Sequence, residues 1–170
     1  DGWDGSNVTM PCKQAIIPLL DGLSDSAELM GAVNVLKKEE DGRIIGNNTD
    51  GAGMMQNIRN HGEEIEGKTI TVVGPGGAGS AVLVQAALDG AKKVHVFARE
   101  GDPSYARSTV LLPRVQEKTG AEMILHAFEN KEEMKGAIAE SDILINATPV
   151  GMGKALVKAP FLPSSSRRVW

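Results

Sequence analysis

The run KTITVVGPGGAGSAVLVQAALDGA, residues 68–91, restricts what this chain can fold into more than any other stretch. It opens on β-branched residues, which suit a buried strand. It then passes through Gly74, Gly76 and Gly79 in the spacing G-x-G-x-x-G and continues as an apolar helical segment ending near Gly90. Glycine is common here, 20 of 170 residues, so the spacing alone says little. Its place between a strand and a helix gives it meaning. Gly74 permits the tight turn out of the strand, Gly76 lets a pyrophosphate approach the backbone, and Gly79 lets helix and sheet pack closely. The free N–H groups of the first helical turn then face the phosphates. The expectation is a dinucleotide site; the bland alternative is a glycine-rich turn without a ligand.

The rest of the chain after residue 66 keeps the same rhythm. KVHVFA and AEMILHAF read as further strands, and DILINATPVG as a fourth strand running into a loop. Between them lie PSYARSTVLLPRVQEKTG, a helical region expected to be interrupted at Pro113, and NKEEMKGAIAESD, a helix capped by Asn130. Strand–helix alternation with short connections implies parallel pairing through right-handed crossovers. The fold class is α/β.

The tip of the second strand bears on which dinucleotide fits. An acidic residue there holds a ribose 2′-hydroxyl, whereas an arginine pairs with a 2′-phosphate. The tip reads Ala98-Arg99-Glu100. Arg99 favours NADP, Glu100 opposes a 2′-phosphate, and NAD stays open; Arg99 is also readable as a solvated loop charge.

The first third is different. Asn7 to Met10 reads as a short strand stopped by Pro11, and KQAIIPLLDGL as helical with a break at Pro18. AVNVLKK and RIIGNN flank Asp41-Gly42 as a hairpin, and Gly51 to Asn60 looks helical. Thr9 with Lys13, then Asn34, then Asp50 each follow a strand-like run, where a strand delivers side chains into a cleft. Nicotinamide chemistry needs a group that takes the hydroxyl proton as hydride leaves, and a lysine beside an aspartate can do so. Each residue also has an ordinary reading: Lys13 as surface charge at a helix start, Thr9 as a strand residue, Asn34 as a turn residue, Asp50 as a helix N-cap.

Composition narrows the partners. Formal net charge is −4, which disfavours nucleic acid, and no apolar run reaches the ~18 residues of a membrane span. Cys12 stands alone, so no disulfide framework exists and a reducing, cytoplasmic setting is expected. His61, His95 and His126 lack ligand spacing, so no metal site is expected, although folding can bring them together. The chain opens at Asp1 without methionine and ends SSSRRVW, which reads as a piece of a longer protein or one with a foreign tail.

Five stretches, NVTMPCK, GAVNVL, GNNTDGAG, GPGGAGSA and NATPVGM, occur in the order found in shikimate dehydrogenases and the related quinate/shikimate dehydrogenases. Across residues 6–153 the chain resembles that family. The resemblance implies a partial substrate-binding α/β domain over residues 1–50 and a connecting helix and linker over 51–65. A Rossmann-like NAD(P)-binding domain with a parallel sheet follows over 66–170. It implies NADP-dependent, reversible reduction of 3-dehydroshikimate to shikimate in chorismate and aromatic amino acid biosynthesis, by a monomer or homodimer. Lys13 and Asp50 become the catalytic pair, which also binds substrate with Thr9 and Asn34. Gly74, Gly76, Gly77, Ala78 and Gly79 become the phosphate loop, Arg99 the adenosine-phosphate contact, and Thr148 and Met152 the nicotinamide side. The segment EGDPSYARS is more like the quinate/shikimate branch, whose members use NAD. The family's opening strand with a serine pair, and a C-terminal glutamine, have no counterpart here, so low activity is expected of the chain alone. Two rivals differ in class: a non-enzymatic nucleotide-binding regulator on the same fold, and a methylenetetrahydrofolate dehydrogenase, which NNTDG and NATPVGM fit poorly.

Overall fold

The computed structural model describes residues 2–9 and 11–150. The first third builds a four-stranded mixed sheet from β1 (Gly5–Asn7), β2 (Gly22–Leu23), β3 (Val35–Lys38) and β4 (Ile44–Asn47), in the order β1-β3-β4-β2. The expected hairpin is β3–β4, with Val35 opposite Asn47 and Lys38 opposite Ile44. Its turn is closed by Asp41, whose carboxylate accepts from the Arg43 N–H at 3.1 Å and from Arg43 Nε at 2.7 Å.

Three local expectations change here. The strand expected at residues 7–10 lies at Gly5–Asn7, because pairing with β3 puts Gly5 opposite Lys37 and Asn7 opposite Val35; Met10 lies outside the described residues. The run from Lys13 is broken around Pro18 as expected, but little of it is α-helical. It is one turn, α1 (Cys12–Ala15), then a 3₁₀ turn at Ile17–Leu19 where Pro18 withholds its N–H. Gly22–Leu23 then pairs in parallel with β4. A further helix, α2 (Asp25–Met30), was not expected: Ser24 caps it by accepting the Ala27 N–H at 3.3 Å.

Helix α3 (Asp50–Asn60) leads to the second sheet, built from β5 (Thr69–Val73), β6 (Lys93–Ala98), β7 (Glu122–Ala127) and β8 (Ile143–Asn146). The order is β7-β6-β5-β8 and every pair is parallel. The order reverses between β5 and β8, the position where open parallel sheets bind ligands at the carboxyl ends of their strands. The connections run through α4 (Gly77–Leu88), α5 (Pro103–Thr119) and α6 (Lys131–Glu140). Asn130 caps α6 as expected, accepting the Glu133 N–H at 3.2 Å.

Helix α5 corrects another expectation, because it runs through Pro113 unbroken. The ring sits on the exposed side, while Leu112 and Val115 are buried against the sheet. Burying such side chains is worth about 1.5–3 kcal/mol each, enough to offset the ~3 kcal/mol that an interior proline costs.

The core is continuous across the junction. Met55 and Ile58 of α3 pack with Leu83, Ala86 and Ala87 of α4 and with Ile70 and Val72 of β5. That sandwiching explains why α4 is apolar nearly all round rather than amphipathic. On β5, the buried Thr71 hydroxyl is satisfied by Ser141 Oγ at 2.8 Å.

Candidate functional site

Lys13, Asn34 and the adjacent pair Thr49 and Asp50 meet at the end of the first sheet. Lys13 Nζ of α1 lies 3.1 Å from Asp50 Oδ2 at the start of α3. Asn34, just before β3, donates through Nδ2 to Asp50 Oδ1 at 2.7 Å and to Thr49 Oγ1 at 3.2 Å. Its Oδ1 accepts the Thr49 N–H at 2.9 Å. Both carboxylate oxygens of Asp50 are thus engaged, one by a cation and one by an amide that is itself anchored.

Backbone contacts fix this arrangement. The Lys13 carbonyl accepts the Val33 N–H at 2.8 Å, tying α1 to the lead-in of β3. The buried Asn48 side chain donates to the Ala32 carbonyl at 3.2 Å and accepts the Asp50 N–H at 3.3 Å. Asp50 is not the helix cap that its ordinary reading would make it. Thr49 holds the N-cap position without a side-chain bond, and Asp50 is the first helical residue. Its carboxylate is therefore turned to Lys13 and Asn34. The Lys13 side chain keeps 29% of its surface exposed, so its remaining ammonium protons are open to an approaching oxygen.

Thr9 is not joined to this group by any hydrogen bond of its side chain among the described residues. Its carbonyl accepts the Cys12 N–H at 2.9 Å and closes the turn into α1.

The glycine loop has the conformation its spacing predicts. Gly74 has φ +87°, and a Cβ there would lie 2.6 Å from Thr148 Cγ2. A Cβ on Gly79 would run into the Gly74 carbonyl, so helix and strand touch through bare backbone. A Cβ on Gly76 or Gly77 would instead meet only open space. No side chain caps α4, which leaves its N-terminal N–H groups to an anion. A cavity of about 530 Å³ opens beside this loop, lined by Gly74, Gly76, Phe97, Arg99, Phe128 and Thr148 among others. These residues fit a dinucleotide: open backbone for phosphate, an aromatic wall and an exposed guanidinium. A second cavity of about 640 Å³ shares Gly76 with the first and also touches Gly77 and Gln14, the neighbour of Lys13. Ala78 is exposed on the first turn of α4. Met152 lies outside the described residues.

Thr148 is held by its own loop. Its hydroxyl donates to Asn146 Oδ1 at 2.6 Å and accepts the Val150 N–H at 3.2 Å. Phe128 was missed in the sequence. It follows β7, and the residue after a parallel strand borders the ligand crevice, so its position was the available signal.

Folding also joins two of the histidines. His95 Nδ1 lies 2.9 Å from His126 Nε2, His95 Nε2 contacts Glu140, and His126 Nδ1 lies 2.8 Å from Glu133 Oε2. Burial pushes the His95 imidazole below its usual pKa, against the pull of Glu140. Among the described residues no group of three or more His, Cys, Asp or Glu side chains has the geometry of a metal site. No described helix is long and apolar enough to cross a membrane.

Comparison with known proteins agrees with this geometry. The family model for the shikimate dehydrogenase substrate binding domain matches residues 1–36. The shikimate dehydrogenase (NADP(+)) of Streptococcus uberis is 44% identical over 152 residues, covering 89% of this chain and 51% of that protein. Among solved structures, shikimate 5-dehydrogenase from Listeria monocytogenes in complex with shikimate and NAD superposes with a TM-score of 0.85 at 41% identity, covering 94% of this chain and 56% of that one. The ligand-free 5-ketofructose reductase of a Gluconobacter strain superposes with a TM-score of 0.75 at 30% identity, over 98% of this chain and 54% of that one. The chain spans about half the length of the curated relatives it matches. Its motifs, its two sheets and its relatives agree: over the half of their length that it spans, the chain is similar to shikimate dehydrogenases.

Proposed function

We propose that this protein serves the shikimate pathway, oxidising shikimate to 3-dehydroshikimate and catalysing the reverse, with Lys13 and Asp50 as the proton-transfer pair. The observation that carries the reading is the Lys13–Asp50 contact at 3.1 Å, braced by Asn34 at 2.7 Å. A regulator that only binds nucleotide has no need of a lysine held in that way.

The dinucleotide, when bound, supplies the hydride donor or acceptor. Residues 66–170 hold it, with Gly74 through Gly79 around the pyrophosphate and Arg99 and Thr148 on its two flanks. Residues 1–50 present the alcohol. The Lys13 ammonium bonds the reacting oxygen and gives or receives its proton as the carbon changes oxidation state. Asp50 orients that ammonium and accepts from a neighbouring substrate hydroxyl, while Asn34 keeps the carboxylate in place. Thr9 completes the substrate side.

NADP is the favoured cofactor, on Arg99 and on the name of the Streptococcus uberis relative. Use of NAD is the second reading, favoured by Glu100 beside Arg99 and by the NAD in the Listeria complex. Quinate is the alternative alcohol. Initial rates of the native gene product with shikimate and quinate, each with NADP and NAD, test the reading. Turnover with none of the four pairs overturns it.

A further inference from the structure

Two cations share one aromatic ring at the edge of the nucleotide cavity. Arg99, at the tip of β6, holds its guanidinium carbon 5.7 Å from the centre of the Phe128 ring. Lys131, the first residue of α6, places Nζ 3.7 Å from the same centre and donates to the Phe128 carbonyl at 2.8 Å. Arg99 and Phe128 line the cavity. Among the described residues neither cation has a carboxylate partner, whereas Lys118 and Lys135 pair with Asp25 and Glu132. One proton of the Lys131 ammonium is used on the carbonyl, and two remain.

We infer that Lys131 is a specificity-determining residue: together with Arg99 it clamps the ribose 2′-phosphate of the dinucleotide. The inference rests on the proposed dinucleotide site. Glu100 adjoins Arg99 and Asp102 lines the same cavity, and both charges oppose a dianionic phosphate there. A single arginine would be outweighed by those carboxylates; a second cation, brought from another element, restores the balance. Phe128 supplies the geometry. Its ring holds both cations over an apolar surface, where their attraction to an anion is less screened than in open water. The N-terminus of α6, next to Lys131, adds to the positive potential.

The test is equilibrium binding of adenosine 2′,5′-bisphosphate and of 5′-AMP to this chain, by calorimetry, for the wild type, Lys131→Gln and Lys131→Arg. The proposal expects Lys131→Gln to weaken the bisphosphate about five- to tenfold, to leave AMP unchanged and to lose part of the salt dependence. It expects Lys131→Arg to restore the discrimination. Equal weakening of both probes would make Lys131 a support for Phe128 and overturn the proposal, as would no change in either. A wild-type chain that binds neither probe would overturn the dinucleotide reading and the inference with it. Binding of both probes without discrimination overturns the inference alone.

Discussion

Gly51 sets its bare α-carbon against the carbonyl of Ala81, so that α3 and α4 touch backbone to backbone one residue after Asp50. The helix that begins at Asp50 and the helix that follows the glycine loop are thereby in direct contact. A methyl group at Gly51 has nowhere to go except by separating the helices. Gly51→Ala is expected to cost about 1–3 kcal/mol. Thermal unfolding followed by circular dichroism checks this, and an unchanged midpoint would show that the helices yield.

Lys13 and Asp50 are expected to matter for turnover and not for nucleotide binding. In the native gene product, Lys13→Ala should lower kcat by about 10²-fold or more. The dissociation constant for the nucleotide should stay within twofold. Steady-state kinetics and calorimetry on the same preparation separate the effects. A variant with full turnover would remove Lys13 from the chemistry.

Asn34 is expected to act through Asp50. Asn34→Ala frees Asp50 Oδ1 and the Thr49 N–H that the amide now serves. Its kcat should fall less than that of Lys13→Ala, because the lysine stays while the carboxylate that holds it has lost one of its two partners. An unchanged kcat in Asn34→Ala would reduce Asn34 to a structural residue.

Gly76 and Gly79 are expected to fail in different ways. A Cβ on Gly76 meets only open space, the space a phosphate would take, while one on Gly79 collides with the Gly74 carbonyl. Gly76→Ala should keep its melting midpoint and lose nucleotide affinity at least about tenfold, equal to about 1.4 kcal/mol. Gly79→Ala should unfold at a lower temperature. Denaturation and binding assays together distinguish the two.

Acid should weaken the second sheet through His95. Burial lowers the folded-state pKa of its imidazole below the usual 6.5. Below about pH 6.5 the unfolded chain takes up a proton that the folded chain refuses, so stability falls as pH drops from there toward the folded value. Urea unfolding at pH 7.5 and 5.5 should show this loss, and His95→Gln should remove part of it. An identical loss in the variant would place its origin elsewhere.

Much of the second half was legible because its pattern is local. The uninterrupted β-branched run of β5, a glycine loop and the Asn130 cap of α6 need no distant partner to be read. Pro113 misled because breaking a helix is a local rule, and the burial of Leu112 and Val115 is not local. The first third was harder. Strand β1 takes its register from β3, some thirty residues away, and β2 is two residues whose pairing with β4 leaves no periodic trace. In the site, Lys13, Asn34 and Asp50 were legible as candidates. The alternative reading of Asp50 as a cap does not hold, because Thr49 takes that position and Asp50 is the first helical residue. The histidine chain and Lys131 became visible only through folding, since each joins residues that are unremarkable where they stand in sequence.

Strand β8 is buried through Ile143–Ile145, yet among the described residues β5 is its sole strand partner. Among the described residues its other edge has no strand partner, and an edge of that kind is a template on which an extended segment can lengthen the sheet. That edge runs directly into Asn146 and Thr148, whose mutual bond shapes the rim of the nucleotide cavity. A segment paired along β8 would therefore brace the Asn146–Thr148 loop from behind, on the side away from the cavity.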